Sequence, residues 1–124
     1  MPIPVSAVER VCRLLWEKKA QDICVLEVRG LTVLTDRMVI ASGTSRVHVR
    51  ALAQELLAEL RRRRARVLSV EGAKDGLWVV LDLGSIIVHI FEPDTREFYS
   101  LERLWADAPQ RPYPEEEVPP EARD

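Results

Sequence analysis

EGAKDGLWVVLDLGSIIVHIFEPDTREFYSLERLW, residues 71–105, reads as two apolar strands joined by a tight turn and followed by a short aromatic helix at Phe98–Trp105. The strands are Leu77–Leu83 and Ile86–Glu92, and the turn is Gly84-Ser85. Glycine at the first turn position supplies the positive φ of a type II′ hairpin, so the Gly-Ser pair predicts a two-residue loop. Leu83 then pairs with Ile86, and the register sets Trp78 opposite Phe91, Val80 opposite His89 and Asp82 opposite Ile87. Side chains alternate across a strand, so these six share one face. Leu77, Val79, Leu81, Leu83, Ile86, Val88 and Ile90 share the other. One face is wholly apolar and belongs in a core. The other mixes two large aromatics, an acid and an imidazole, which is the composition of a recognition surface.

Upstream of the hairpin, Ser6 with Glu9 forms a capping-box pattern, and Val8, Val11, Cys12 and Leu15 recur at helical spacing. A first helix is predicted from Ala7 to Ala20. DICVLEVRG alternates, with Ile23, Val25 and Glu27 opposing Cys24, Leu26 and Val28, and reads as a strand ended by Gly30. DRMVIASG, Asp36–Gly43, is a second strand. Gly43-Thr44-Ser45 opens a long helix whose stripe of Val49, Leu52, Ala53, Leu56, Leu57 and Leu60 has the period of a buried helical face. A strand at Arg66–Glu71 leads into the hairpin. The order α-β-β-α-β-β-β-α predicts a single α/β domain with a five-stranded mixed sheet and flanking helices.

The chain has 124 residues, room for one core but not for two. No apolar run approaches the ~20 residues that span a bilayer. The start, MPIPVSAVERVC, has neither the basic nor the apolar region of a secretory signal, so a cytoplasmic protein is expected. The formal charge of −2 is unevenly placed: PYPEEEVPPEARD, residues 112–124, carries −4, which leaves +2 for residues 1–111. An acidic, proline-rich stretch buries too little apolar surface to offset its ordering entropy. The domain is therefore expected to end at residue 111 and a disordered tail to follow. Cys12 and Cys24 lie in apolar runs without metal-ligand spacing and read as buried thiols; no cofactor and no metal is expected.

Three segments, DRMVIASGTSRVHVRALA, VEGAKDGLWVVLDLGSIIVHIF and REFYSLERLWADAP, resemble the ribosomal silencing factor (Iojap) family over roughly residues 5–110. The resemblance implies a fold similar to the nucleotidyltransferase superfamily and a non-enzymatic role. It further implies docking on the ribosomal large subunit through the large-subunit ribosomal protein numbered fourteen, steric obstruction of small-subunit joining, and a homodimer. Trp78, Asp82, Gly84, His89 and Phe91 match the family's core pattern, and Arg96 to Tyr99 match its R-E-F-Y. The partner-binding set expected on this basis is Trp78, Asp82, Gly84, His89, Phe91, Arg96, Tyr99 and Trp105. Family members often carry aromatics after the acid of the second strand, whereas Arg37 and Met38 follow Asp36 here, which bears on how that strand packs and on the dimer.

Arg61, Arg62, Arg63, Arg64 and Arg66 could meet RNA phosphates, but no aromatics interleave, and cations are favoured at any helix C-terminus; at most incidental rRNA contact is expected. A nucleotidyltransferase-related enzyme or nucleotide- or RNA-binding protein is the alternative reading of Gly43-Thr44-Ser45. That chemistry needs a pair of metal-binding acids, and Asp82 stands alone in its strand. Asp82 and His89 are diagonal neighbours able to hydrogen bond, yet no nucleophile sits in a suitable context. Phe98 reads as packing.

Overall fold

The computed structural model describes residues 6–115. The sheet has six strands: β1 (Gln21–Glu27), β2 (Arg37–Ser42), β3 (Ser69–Glu71), β4 (Trp78–Asp82), β5 (Ile86–Phe91) and β6 (Gln110–Tyr113). Their spatial order is β3-β4-β5-β2-β1-β6. β2 and β5 run parallel, and the other neighbours are antiparallel, so the sheet is mixed as expected. Helices α1 (Ala7–Glu17) and α2 (Arg46–Arg62) cover one face, while α3 (Pro93–Tyr99) and α4 (Leu101–Leu104) lie on the other.

The sixth strand corrects the expected five. β6 pairs with β1 from Ile23↔Tyr113 to Leu26↔Gln110, so Pro112 and Tyr113 belong to the sheet rather than to a tail starting at residue 112. Proline in the segment argues against a central strand only; at an edge its missing N–H costs no ladder bond. The expectation of disorder concerns, from residue 116 onward, residues outside those described.

The hairpin has the predicted register throughout, Trp78↔Phe91, Val80↔His89 and Asp82↔Ile87. Leu83 N–H donates to the Ile86 carbonyl at 2.9 Å, and Gly84 sits at φ 90°. β3 is shorter than the predicted Arg66–Glu71 because Ser69 already faces Asp82, the last residue of β4. Leu68 still donates its N–H to the Asp82 carbonyl at 2.8 Å, and residues before it fall level with the Gly84-Ser85 turn.

α1 and α2 form as their caps and stripes require. Ser6 Oγ accepts from Glu9 N–H, Ser45 Oγ accepts from His48 N–H, and the buried residues are those of the predicted apolar stripes, Leu57 alone being half-buried. α1 stops at Glu17 rather than at Ala20. Lys19 turns left-handed at φ 72°, and the N–H groups of Lys19 and Ala20 return to the Trp16 and Leu15 carbonyls, a double closure that satisfies the helix end.

The larger core lies between α1, α2 and the sheet, with Val79, Leu81, Ile86, Val88 and Ile90 contributing the wholly apolar hairpin face. The smaller core is on the opposite face, where Leu26, Val28, Met38, Ile40, Phe91 and Ala108 pack with Leu101 and Trp105. Met38 thus takes a buried place after Asp36, and Arg37 pairs with Glu27 at 2.9 Å. The single helix expected at Phe98–Trp105 is instead two. Ser100 at φ 47° ends α3, donating from its N–H to the Arg96 carbonyl and from Oγ to the Glu97 carbonyl. Leu104 of α4 points to solvent, while Leu101 and Trp105 pack in the smaller core.

Candidate docking face

α3 and α4 cover only the β5-β2-β1 part of their side of the sheet. Val80, Asp82 and Ile87 remain half-buried beside them, and Trp78 stands at the boundary. Two strands and one short helix therefore build a mixed aromatic and aliphatic surface. Trp78 lies between two rings: Phe91 beneath it, with centroids 4.9 Å apart and planes 23° off parallel, and Tyr99 from α3 at 4.7 Å and 45°. Phe98 meets Tyr99 edge-on at 5.1 Å. Phe91 is fully buried, Tyr99 is 51% exposed and Phe98 78% exposed. On α4, Leu104 is also 70% exposed. The surface rises from a buried phenylalanine to an exposed one through one stacked, one tilted and one edge-on ring contact.

His89 is buried at 7% exposure beneath this surface. Its Nδ1 accepts from Trp78 Nε1–H at 3.1 Å, which places the imidazole proton on Nε2. Nε2 has no hydrogen-bond partner among the described residues. Burial is the main cause that pulls the His89 pKa down to about 4, with Glu102 opposing it weakly, so the ring is neutral at pH 7. The Asp–His bond considered from the sequence is not made: Asp82 Oδ1 instead accepts from Gly84 N–H at 2.9 Å, bracing the hairpin turn. The Gly84 carbonyl accepts from Thr35 Oγ1 at 2.9 Å, which ties the turn to the loop before β2.

The eight residues expected from the sequence fall into three groups. Trp78 and Tyr99 line the exposed surface, with His89 and Phe91 underneath. Asp82 and Gly84 hold the turn at the far end of the hairpin. Arg96 and Trp105 lie within the α3–α4 cover: Arg96 pairs with Glu102 at 2.7 Å and donates to Ser42 Oγ at 2.9 Å, and Trp105 packs in the smaller core. Phe98, expected to pack, and Leu104 are exposed instead. The sequence carried a signal for Phe98, because adjacent aromatics on a short helix cannot both face one core, and in the structure α3 buries none of its residues.

Gly43-Thr44-Ser45 is a cap in the structure. Thr44 N–H donates to His48 Nδ1 at 2.9 Å, so His48 Nε2 carries a proton and donates to the Lys18 carbonyl at 2.9 Å. Ser45 Oγ accepts from the His48 amide, and the Gly43 and Thr44 N–H groups donate to the Phe91 carbonyl and to His48 Nδ1. Among the described residues no three His, Cys, Asp or Glu side chains are grouped as metal ligands. Burial pushes the Cys12 thiol up to about 12 and raises Cys24, the opposite of an activated nucleophile. In the arginine run, Arg62 and Arg63 are paired with Glu59.

Fold and surface together define a mixed α/β domain with an aromatic face half-covered by two short helices. The family model for "Ribosomal silencing factor during starvation" matches residues 3–124. The ribosomal silencing factor of Bacillus subtilis is 38% identical over 93 residues, covering 75% of this chain and 79% of that protein. Mouse "Mitochondrial assembly of ribosomal large subunit protein 1" is 36% identical over 101 residues, covering 79% of this chain and 44% of the mouse protein. A crystal structure from Chromobacterium violaceum superposes with a TM-score of 0.77 at 31% identity, over 84% of this chain and 88% of that one. The chain belongs to the ribosomal silencing factor family.

Proposed function

We propose that the protein binds the ribosomal large subunit through its ribosomal protein fourteen, using the Trp78–Tyr99–Phe98 face, and thereby keeps the small subunit from joining. Membership of the family supports a role in silencing ribosomes. The name of the mouse relative supports the large subunit as the partner. The single observation that carries the choice of face is the exposed aromatic stack beside an uncovered strip of sheet. Interaction hot spots are enriched in Trp and Tyr, and contiguous exposed apolar groups mark protein-binding surfaces. The mechanism is steric: a folded 14.2 kDa domain seated on the face that meets the small subunit excludes it without any covalent step. Among the described residues no helix is long and apolar enough to cross a membrane, and we place the activity in the cytoplasm. The resemblance also carries a homodimer, which sedimentation equilibrium tests.

Sedimentation of tagged protein with separated ribosomal subunits tests the reading. The protein should travel with large subunits and be depleted from intact ribosomes, and excess protein should slow subunit joining followed by light scattering. Equal recovery with small and large subunits would end it.

A further inference from the structure

A buried imidazole with one unpartnered nitrogen is costly in a sheet whose other neighbours at that level are apolar. His89 stands between Val80 on β4 and Ile40 on β2, where leucine would pack without any polar atom to satisfy. Among the described residues its side chain makes one hydrogen bond, to Trp78. From Trp78 the contacts run outward, indole to Tyr99 and Tyr99 to Phe98. We infer that His89 is a positioning residue: by accepting the indole N–H it sets the orientation of Trp78 and, through it, of Tyr99 and Phe98, the rings that the docking face presents. This rests on the docking reading and assigns its geometry to a group that does not itself reach the surface.

Two features make the link necessary. The indole has one polar atom, and in an apolar surrounding it needs an acceptor. Without Nδ1 of His89 the indole would gain hydration only by turning its edge toward solvent, which separates it from Phe91 and removes the platform under Tyr99. Moreover, α3 buries no residue fully: Arg96 anchors it to Ser42 and Glu102, and at its aromatic end Tyr99 meets the sheet through the ring contact with Trp78. The inward N–H also fixes the chemistry of the partner. With its polar atom engaged inside, Trp78 offers only hydrocarbon, and together with Phe98 and the half-buried Val80 and Ile87 it fits a protein surface rich in apolar side chains rather than one that offers acceptors to the indole.

The test compares His89→Asn, His89→Leu, Trp78→Phe and the His89→Leu/Trp78→Phe double variant. Asn keeps an acceptor at the position of Nδ1; Leu removes it; Phe removes the donor and keeps an aromatic ring. In the free protein, the Trp78 indole N–H should exchange slowly with solvent in wild type and His89→Asn and rapidly in His89→Leu, with shifted Tyr99 and Phe98 ring resonances. Binding to large subunits should fall about tenfold (~1.4 kcal/mol) in His89→Leu and in Trp78→Phe, and no further in the double variant, because both break one link. His89→Asn should bind within about twofold of wild type, and thermal unfolding of all variants shows that the losses are not unfolding. Additive losses in the double variant, wild-type binding by His89→Leu, or unmoved Tyr99 and Phe98 resonances would each overturn the inference. If wild-type protein fails to bind large subunits, the docking reading falls, and the ring resonances alone still decide whether His89 sets the stack.

Discussion

Acidification from pH 7 to pH 4 should cost the fold about 3 kcal/mol through His89 alone. In the folded protein burial lowers its pKa from 6.5 to about 4. Below pH 6.5 the unfolded chain takes up a proton on this ring while the native state does not. Stability therefore falls as the pH drops through the window from 6.5 to about 4, and this contribution is flat on either side. At about 1.4 kcal/mol for each pH unit, that window amounts to about 3 kcal/mol. The sign has a structural cause: protonation both charges a buried ring and removes the lone pair that accepts the Trp78 N–H. Carboxylates also titrate in acid. Asp36, lowered first by its hydrogen bond from Arg29, and Glu92, lowered first by the Asp94 amide, add to the loss only as their carboxyls protonate. They are common to wild type and a His89→Leu variant, so the difference between the two isolates the imidazole. Urea unfolding of both proteins at pH 7, 6, 5 and 4 is the assay. His89→Leu should gain on wild type by about 3 kcal/mol between pH 7 and pH 4. A difference that stays constant across that range would refute the reasoning, since it would mean His89 is accessible to protons in the native fold.

Trp78→Ala should weaken large-subunit binding by ~2 kcal/mol or more, while Val79→Ala on the buried face should lower stability and leave binding by the folded fraction unchanged; titration and thermal unfolding of both variants check this. Phe98→Ala should change stability by less than ~0.5 kcal/mol, because the ring is exposed, yet reduce binding measurably, and retained binding would remove Phe98 from the face. Ser45→Ala should lose ~0.5–2 kcal/mol of stability as a cap, and neither it nor wild type should transfer or hydrolyse nucleotides with magnesium; turnover abolished by the substitution would revive the enzyme alternative. Gly72→Ala should be severely destabilising by denaturant unfolding, because φ is 82° and an added Cβ would fall 1.9 Å from the Trp78 carbonyl oxygen.

The hairpin register was legible before any coordinates because a two-residue turn leaves one way to pair the strands, and alternation then assigns every side chain to a face. The α2 stripe was legible for the same kind of reason: its period and its Ser45 cap are local properties of neighbouring residues. The sheet edge was not, because whether Gln110–Tyr113 pairs depends on β1 presenting a free edge some 85 residues away in the chain, and its proline argues for a strand or against it according to that context alone. Likewise, sequence placed Trp78, His89 and Phe91 on one face but could not rank their exposure. That ranking follows from where the break at Ser100 directs α4, so that Leu101 and Trp105 cover Phe91 while Phe98, Tyr99 and Leu104 stay in solvent. Local spacing determines which residues share a face. Only the packing of one element across another decides how much of that face water, or a partner, can reach.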